Sequence, residues 1–216
     1  MVKVKICGFT EPEDVEEACR AGADMIGVIV DAPTRRSVTP ERAINLFSIV
    51  SKPIARVAVM VPRDTLHAIQ IVRKLRPDYL QIHGSMNVAE LKEIKEATGV
   101  RIIATLSIPK RGGESKKITA QALEIAKGAD FILADTEHAG AGGGTGLTHD
   151  WNISRSVRET IDRPLILAGG LNPGNVRAAI GTVKPYGVDV ASGVESEVGK
   201  KNPELVREFI RVAKGL

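Results

Sequence analysis

Three chemically capable side chains stand where short, β-branched runs stop. "VKVKIC" (2–7) ends on Cys7, "YLQIH" (79–83) on His83 and "FILAD" (131–135) on Asp135. A carboxyl group that partial burial keeps protonated can donate a proton, which is one reading of Asp135. A turn or cap aspartate is the other. A thiolate can take a proton, and Lys5, Arg36 or a loop dipole beside Cys7 would lower its pKa. A free cysteine is equally often a small buried apolar residue, and position alone leaves both readings of Cys7 open. Cys19, beside Ala18 on an amphipathic segment, reads as packing.

Two glycine loops add a second kind of chemistry. "LAGGLNPGNV" (167–176) sets Gly170 and Asn172 before a helix start, and "ASGVES" (191–196) sets Ser192 and Gly193 after another strand. Backbone N–H groups at such glycines can approach an anion closely, and a helix start adds its positive end. "APTRRSVTP" (32–40) offers Arg35 and Arg36, whose planar forks suit a carboxylate; one of the two reads as a solvated surface residue. His83 is the one histidine at a strand end, a pocket-lining residue or a loop tether. His67 falls on a helix, and His138 and His149 fall on loops. No pair has helix-face ligand spacing and there is no C-x-x-C, so no metal site is expected.

The elements that must position these groups alternate. Eight runs read as strands: 2–7, 25–30, 54–61, 79–83, 101–106, 131–135, 164–168 and 187–191. Most are apolar nearly throughout, as strands covered on both faces should be. Helical patterns lie between them. "EPEDVEEACRAG" has Pro12 in its first turn, and "TPERAINLFSIVS" has Thr39 as cap and Pro40 at the first helical position. Asn87, Asn172 and Asn202 are candidate caps of three more. "PKRGGESKKIT" (109–119) and "TEHAGAGGGTGLTHD" (136–150) read as glycine-rich loops. Eight βα units in 216 residues predict an α/β fold, a single-domain (β/α)8 TIM barrel with eight parallel strands spanning 1–216. An open doubly wound sheet is the alternative. In such a barrel Cys7, His83 and Asp135 share one mouth, and the loops after the seventh and eighth strands are where phosphate is usually gripped.

The bulk composition agrees. Hydrophobic residues make up 43% and aromatic ones only 3%, so Val, Ile, Leu and Ala must fill the core. Net charge is +4, which favours an anionic small molecule weakly; no block of five like charges and no basic–aromatic run suggests nucleic acid. The start lacks a long apolar stretch, and "MIGVIV" is too short to span a bilayer, so a cytoplasmic protein with reduced thiols and no membrane partner is expected.

"KICGFT", "RRSVTPERA", "LQIHG", "LADT", "GGGTGLTHDW", "LAGGLNPGNV" and "VDVASGVES" together resemble the phosphoribosylanthranilate isomerase family of tryptophan biosynthesis, in order and over essentially the whole chain. The resemblance implies an Amadori rearrangement of N-(5-phosphoribosyl)anthranilate to 1-(2-carboxyphenylamino)-1-deoxyribulose 5-phosphate. It implies no metal and no organic cofactor. It makes Cys7 the general base and Asp135 the general acid, gives Arg36 the anthranilate carboxylate, and gives Gly170, Asn172, Ser192 and Gly193 the phosphate. Family members occur as monomers or homodimers. The sequence departs from the family pattern at "GLTHDW", where a basic residue and F-D-W are commoner and His149 takes the place of phenylalanine. It also lacks the usual aromatics around "GVIVDAPTRRS".

Overall fold

The computed structural model describes residues 1–110, 114–137 and 148–216. Eight strands form the barrel: β1 (Lys3–Cys7), β2 (Met25–Val30), β3 (Ala55–Met60), β4 (Tyr79–Ile82), β5 (Arg101–Ile108), β6 (Phe131–Thr136), β7 (Leu165–Leu167) and β8 (Gly187–Val190). All neighbours are parallel. β1 pairs with β2 through Lys5–Met25 and with β8 through Lys3–Gly187, so the sheet closes on itself. That closure excludes the open doubly wound alternative.

Side chains alternate between two apolar layers. On β1, Val4 and Ile6 face the helices, where they join Val28, Leu80, Ile102 and Phe209. Cys7 faces the barrel interior with Met25, Val57, Tyr79, Ile103 and Leu133. Strands buried on both faces need apolar residues at both parities, which is why the runs read as continuous rather than alternating.

Helices α1 (Pro12–Arg20), α2 (Pro40–Ile49), α3 (Thr65–Leu75), α4 (Val88–Thr98), α5 (Ser115–Ala126), α6 (Trp151–Thr160), α7 (Val176–Val183) and α8 (Pro203–Lys214) cover the outside. Asn87 caps α4 in a reciprocal capping box with Glu90, and Thr39 and Asn202 cap α2 and α8. Two sequence expectations change. Asn172 does not cap α7: the capping position is Asn175, and the Asn172 side chain instead accepts from the Gly174 N–H at 2.9 Å, folding the loop before the helix. The stretch 109–119 is only partly loop, because Ser115 already opens α5; residues 111–113 lie outside the described residues, as do 138–147 of the second glycine-rich stretch, His138 among them.

A repeated device sets the floor of the barrel. Asp24, Asp78 and Asp130 immediately precede β2, β4 and β6. Each carboxylate accepts a backbone N–H from the strand before, at Val4 (2.9 Å), Arg56 (2.8 Å) and Ile102 (2.8 Å). Each also pairs with a cation, Lys3, Arg56 and Lys95 respectively. The orphan donors at the strand starts are thereby satisfied, and odd and even strands are tied in register.

Two small pieces stand at the opposite end. Ser37–Val38 adds to β2, and an antiparallel hairpin joins Glu195–Glu197 to Lys200–Lys201 beyond β8. Neither was legible in the sequence, because two or three residues carry no periodicity.

Candidate active site

The first strand delivers two groups to the barrel interior. Lys5 and Cys7 share a parity on β1, and Lys5 is 1% exposed. Its Nζ donates to Asp189 Oδ1 on β8 at 2.8 Å. Gly27 on β2 supplies the space: a Cβ there would stand 2.8 Å from Cys7 Sγ and 3.1 Å from Lys5 Nζ. Burial pushes the Cys7 thiol above its ordinary range, against Lys5, which pulls it down. Burial works to lower the Lys5 ammonium, but Asp189 and Cys7 more than offset it, leaving Lys5 raised.

Beside this pair lies a second buried cluster. Arg36, from the loop after β2, makes a two-pronged contact with Glu195: Nε to Oε1 at 2.8 Å and Nη2 to Oε2 at 2.7 Å. Lys201 Nζ reaches the same Oε1 at 2.9 Å and the Ala191 carbonyl at 3.1 Å. Burial would raise the Glu195 carboxyl; its bonds to Arg36 and Lys201 outweigh that and hold it below its usual range. Arg35 is exposed, so it is the surface residue of the two arginines. Gly8 adopts φ +79, and a Cβ there would meet Arg36 Cδ at 2.9 Å. The room that Gly8 leaves is thus taken by the Arg36 side chain.

The two glycine loops meet. Gly193 opens directly against the loop after β7, where a Cβ would overlap the Leu171 carbonyl oxygen. Gly169 and Gly170 both have positive φ, and a Cβ on Gly169 would overlap Thr136 Oγ1. The Asn175 amide donates to the Gly170 carbonyl and its Oδ1 accepts from the Asn172 N–H, both at 2.9 Å, which fixes the turn. Ser192 begins a short 3₁₀ turn, Ser192–Val194, that carries Gly193.

Asp135 sits near the end of β6, opposite Ser107 of β5 and at the inward parity of Phe131 and Leu133. Round the barrel, β7 and β8 separate it from β1. The Gly170–Asn172 and Ser192–Gly193 segments therefore lie between Asp135 and Cys7. Thr136, the next residue, touches His149 Nδ1 at 2.8 Å, and His149 Nε2 touches Ser154 Oγ of α6 at 2.6 Å. Burial drops the His149 pKa to about 4, so it is a neutral bridge inside the protein rather than a loop residue at the surface.

His83 follows β4, exposed, with its backbone N–H on the Met60 carbonyl. Two strand residues below the rim hold buried atoms that have no hydrogen-bond partner among the described residues, Gln81 Oε1 and Thr105 Oγ1. Among the described residues no group of three or more His, Cys, Asp or Glu could hold a metal ion. The sequence reading missed Asp189, Glu195, Lys201 and Gln81. Asp189 and Gln81 left a signal, a polar residue at the inward parity of an apolar strand. Glu195 and Lys201 left none, since the hairpin that presents them was invisible.

A closed (β/α)8 barrel with titratable groups and glycine loops collected at the carboxyl ends of its strands defines a barrel enzyme of the phosphate-loop type. Residues 4–212 match the family model for N-(5'phosphoribosyl)anthranilate (PRA) isomerase, and the chain belongs to that family. It is 46% identical to the N-(5'-phosphoribosyl)anthranilate isomerase of Methanocella arvoryzae over 212 residues, covering 97% of each chain. The crystal structure of phosphoribosyl anthranilate isomerase from Thermotoga maritima covers all of both chains with TM-score 0.89 at 33% identity. A phosphoribosyl anthranilate isomerase solved in complex with reduced 1-(o-carboxyphenylamino)-1-deoxyribulose 5-phosphate also covers both chains fully, with TM-score 0.85 at 31% identity.

Proposed function

We propose that the chain catalyses the Amadori rearrangement of N-(5-phosphoribosyl)anthranilate to 1-(2-carboxyphenylamino)-1-deoxyribulose 5-phosphate in tryptophan biosynthesis, with Asp135 as general acid and Cys7 as general base. The observation that carries the reading is that both groups sit on inward positions at the carboxyl ends of β6 and β1, with the two glycine loops between them.

The steps follow from those positions. Asp135 gives its proton to the ribose ring oxygen; the carbon–oxygen bond at the anomeric carbon breaks, and the nitrogen lone pair forms a protonated Schiff base. The Cys7 thiolate takes the proton from the adjacent carbon, and that C–H electron pair closes an enolamine. Tautomerisation moves a proton to the former anomeric carbon and leaves a ketone. Separate acid and base roles need two groups whose surroundings differ, and a carboxyl and a thiol on opposite sides of a sugar meet that need.

Substrate contacts follow the same layout. The backbone at Gly170, Asn172, Ser192 and Gly193 receives the phosphate, whose binding energy positions the reacting carbons. Arg36 uses Nε and Nη2 on Glu195, and among the described residues its Nη1 has no hydrogen-bond partner; that edge takes the anthranilate carboxylate. His83 lines the rim. The chain acts without metal or organic cofactor, in the cytoplasm, as a monomer or homodimer.

The test is turnover of freshly generated phosphoribosylanthranilate, with and without chelator. Cys7→Ala and Asp135→Asn should each lose orders of magnitude in kcat while circular dichroism stays parental. Parental rates in both variants would sink the mechanism.

A further inference from the structure

We propose that Lys5 is the positioning residue for Cys7: its ammonium, aimed up the barrel by Asp189, is the fixed counter-charge against which the Cys7 thiolate forms. The proposal rests on Cys7 being the base.

The direction of the Lys5 side chain carries the argument. In the strand register Lys5 lies beside Met25 of β2, and Cys7 lies beside Gly27. Yet Lys5 Nζ reaches the space over Gly27, 3.1 Å from where a Cβ would stand. The side chain therefore climbs one inward rung toward the mouth and ends beside the Cys7 sulfur, which occupies the same space. Any residue larger than glycine at 27 would fill the place where sulfur and ammonium meet.

A lysine this deep is costly unless it is paired, and Asp189 supplies that pairing at 2.8 Å. One carboxylate neutralises one ammonium. An ammonium has three N–H donors and, among the described residues, Asp189 is the one carboxylate that Lys5 donates to, so donors remain for a sulfur ligand. The other charges facing Cys7 are few. Asp189 on β8 opposes the thiolate, Lys201 on the hairpin favours it, and Arg36 after β2 interacts with it. Facing it from β2 is Gly27, which has no charge. Of the two lysines on Cys7's own strand, Lys3 is exposed and pairs with Asp24 at the barrel floor, whereas Lys5 is buried, two residues from Cys7 and at the same parity, so β1 fixes its backbone one inward rung below the sulfur.

The arrangement answers a chemical requirement. A thiol sealed from water resists ionising, and a base that is rarely ionised is slow. A fixed ammonium stabilises the thiolate without donating a mobile group that substrate could displace. Proton abstraction then converts a thiolate–ammonium contact into a thiol beside an ammonium still held by Asp189, so Lys5 stays charged throughout the cycle.

Lys5→Met and Lys5→Met/Asp189→Asn are compared with the parent in a Cys19→Ser background, where Cys7 is the only thiol. The ultraviolet absorbance of the thiolate is titrated in the free protein, and the acid limb of kcat/KM is measured in parallel. Lys5→Met should shift the thiolate titration to higher pH, carry the acid limb of kcat/KM with it, and lower the rate at neutral pH about 10- to 1000-fold. The double variant leaves no buried carboxylate unpaired, so it tests the idea even if the single variant does not fold; it should titrate between the parent and Lys5→Met, because an opposing charge leaves too. A parental thiolate titration in both overturns the role of Lys5 alone. A titration that moves while the acid limb stays in place overturns Cys7 as base, and the proposal with it.

Discussion

Arg36 and Glu195 hold each other through two parallel N–H···O bonds, 2.8 and 2.7 Å long, across the loops that follow β2 and β8. Lys201 adds a second cation to the same carboxylate. Two positive groups around one negative group leave the cluster with a net positive charge, and it lies next to the thiol. The guanidinium is thus fixed before any ligand arrives, which reduces the side-chain ordering that binding must supply.

Arg36→Ala should raise KM for phosphoribosylanthranilate by about 10- to 100-fold, the loss of one hydrogen-bonded charged contact, with a smaller effect on kcat. Glu195→Gln keeps the arginine but weakens its clamp, so KM should rise less. Steady-state kinetics on both variants check this. An unchanged KM in Arg36→Ala removes Arg36 from the site.

Gly193→Ala should separate the two glycine loops. The added Cβ would overlap a backbone atom, the Leu171 carbonyl oxygen, so no side-chain rotation can relieve it. KM should rise and competitive inhibition by inorganic phosphate should weaken together. Retained phosphate inhibition would mean that the grip does not depend on the contact between these loops.

The barrel was legible because its strands are apolar at both parities and recur with helical segments between them; the strand boundaries agree with the sequence reading to within two residues. Cys7 and Asp135 were legible because each closes such a run. What lay beyond the sequence is long-range. Asp189 pairs with Lys5 across 184 residues and Glu195 with Arg36 across 159, and no local pattern announces such partners. Asn172 was misread as a cap because asparagine three residues before a helical pattern serves equally well as a turn former, and Asn175 took the capping position. His149 was read as a loop residue, and it became a core residue because Thr136 and Ser154 satisfy both its ring nitrogens.

His149 should make the protein acid-sensitive. Its pKa falls from an ordinary 6.5 to about 4 on folding, because burial penalises the charged ring. Between those two values the unfolded chain binds the proton that the folded protein refuses, so stability is full above the unfolded value and is lost as pH falls toward the folded one. The loss from this residue between pH 7 and pH 5 is about 2 kcal/mol. His149→Phe removes the titrating ring. It also leaves the Thr136 and Ser154 hydroxyls without that partner, so the variant should be less stable than the parent at pH 7, by about 1–3 kcal/mol. Its stability should nevertheless decline less on acidification. Urea unfolding of both proteins at the two pH values separates the terms: the gap between parent and variant should narrow by about 2 kcal/mol at the lower pH. An equal decline in the two proteins would show that His149 is protonated in the fold, and that the bridge from Thr136 to α6 is an exposed one.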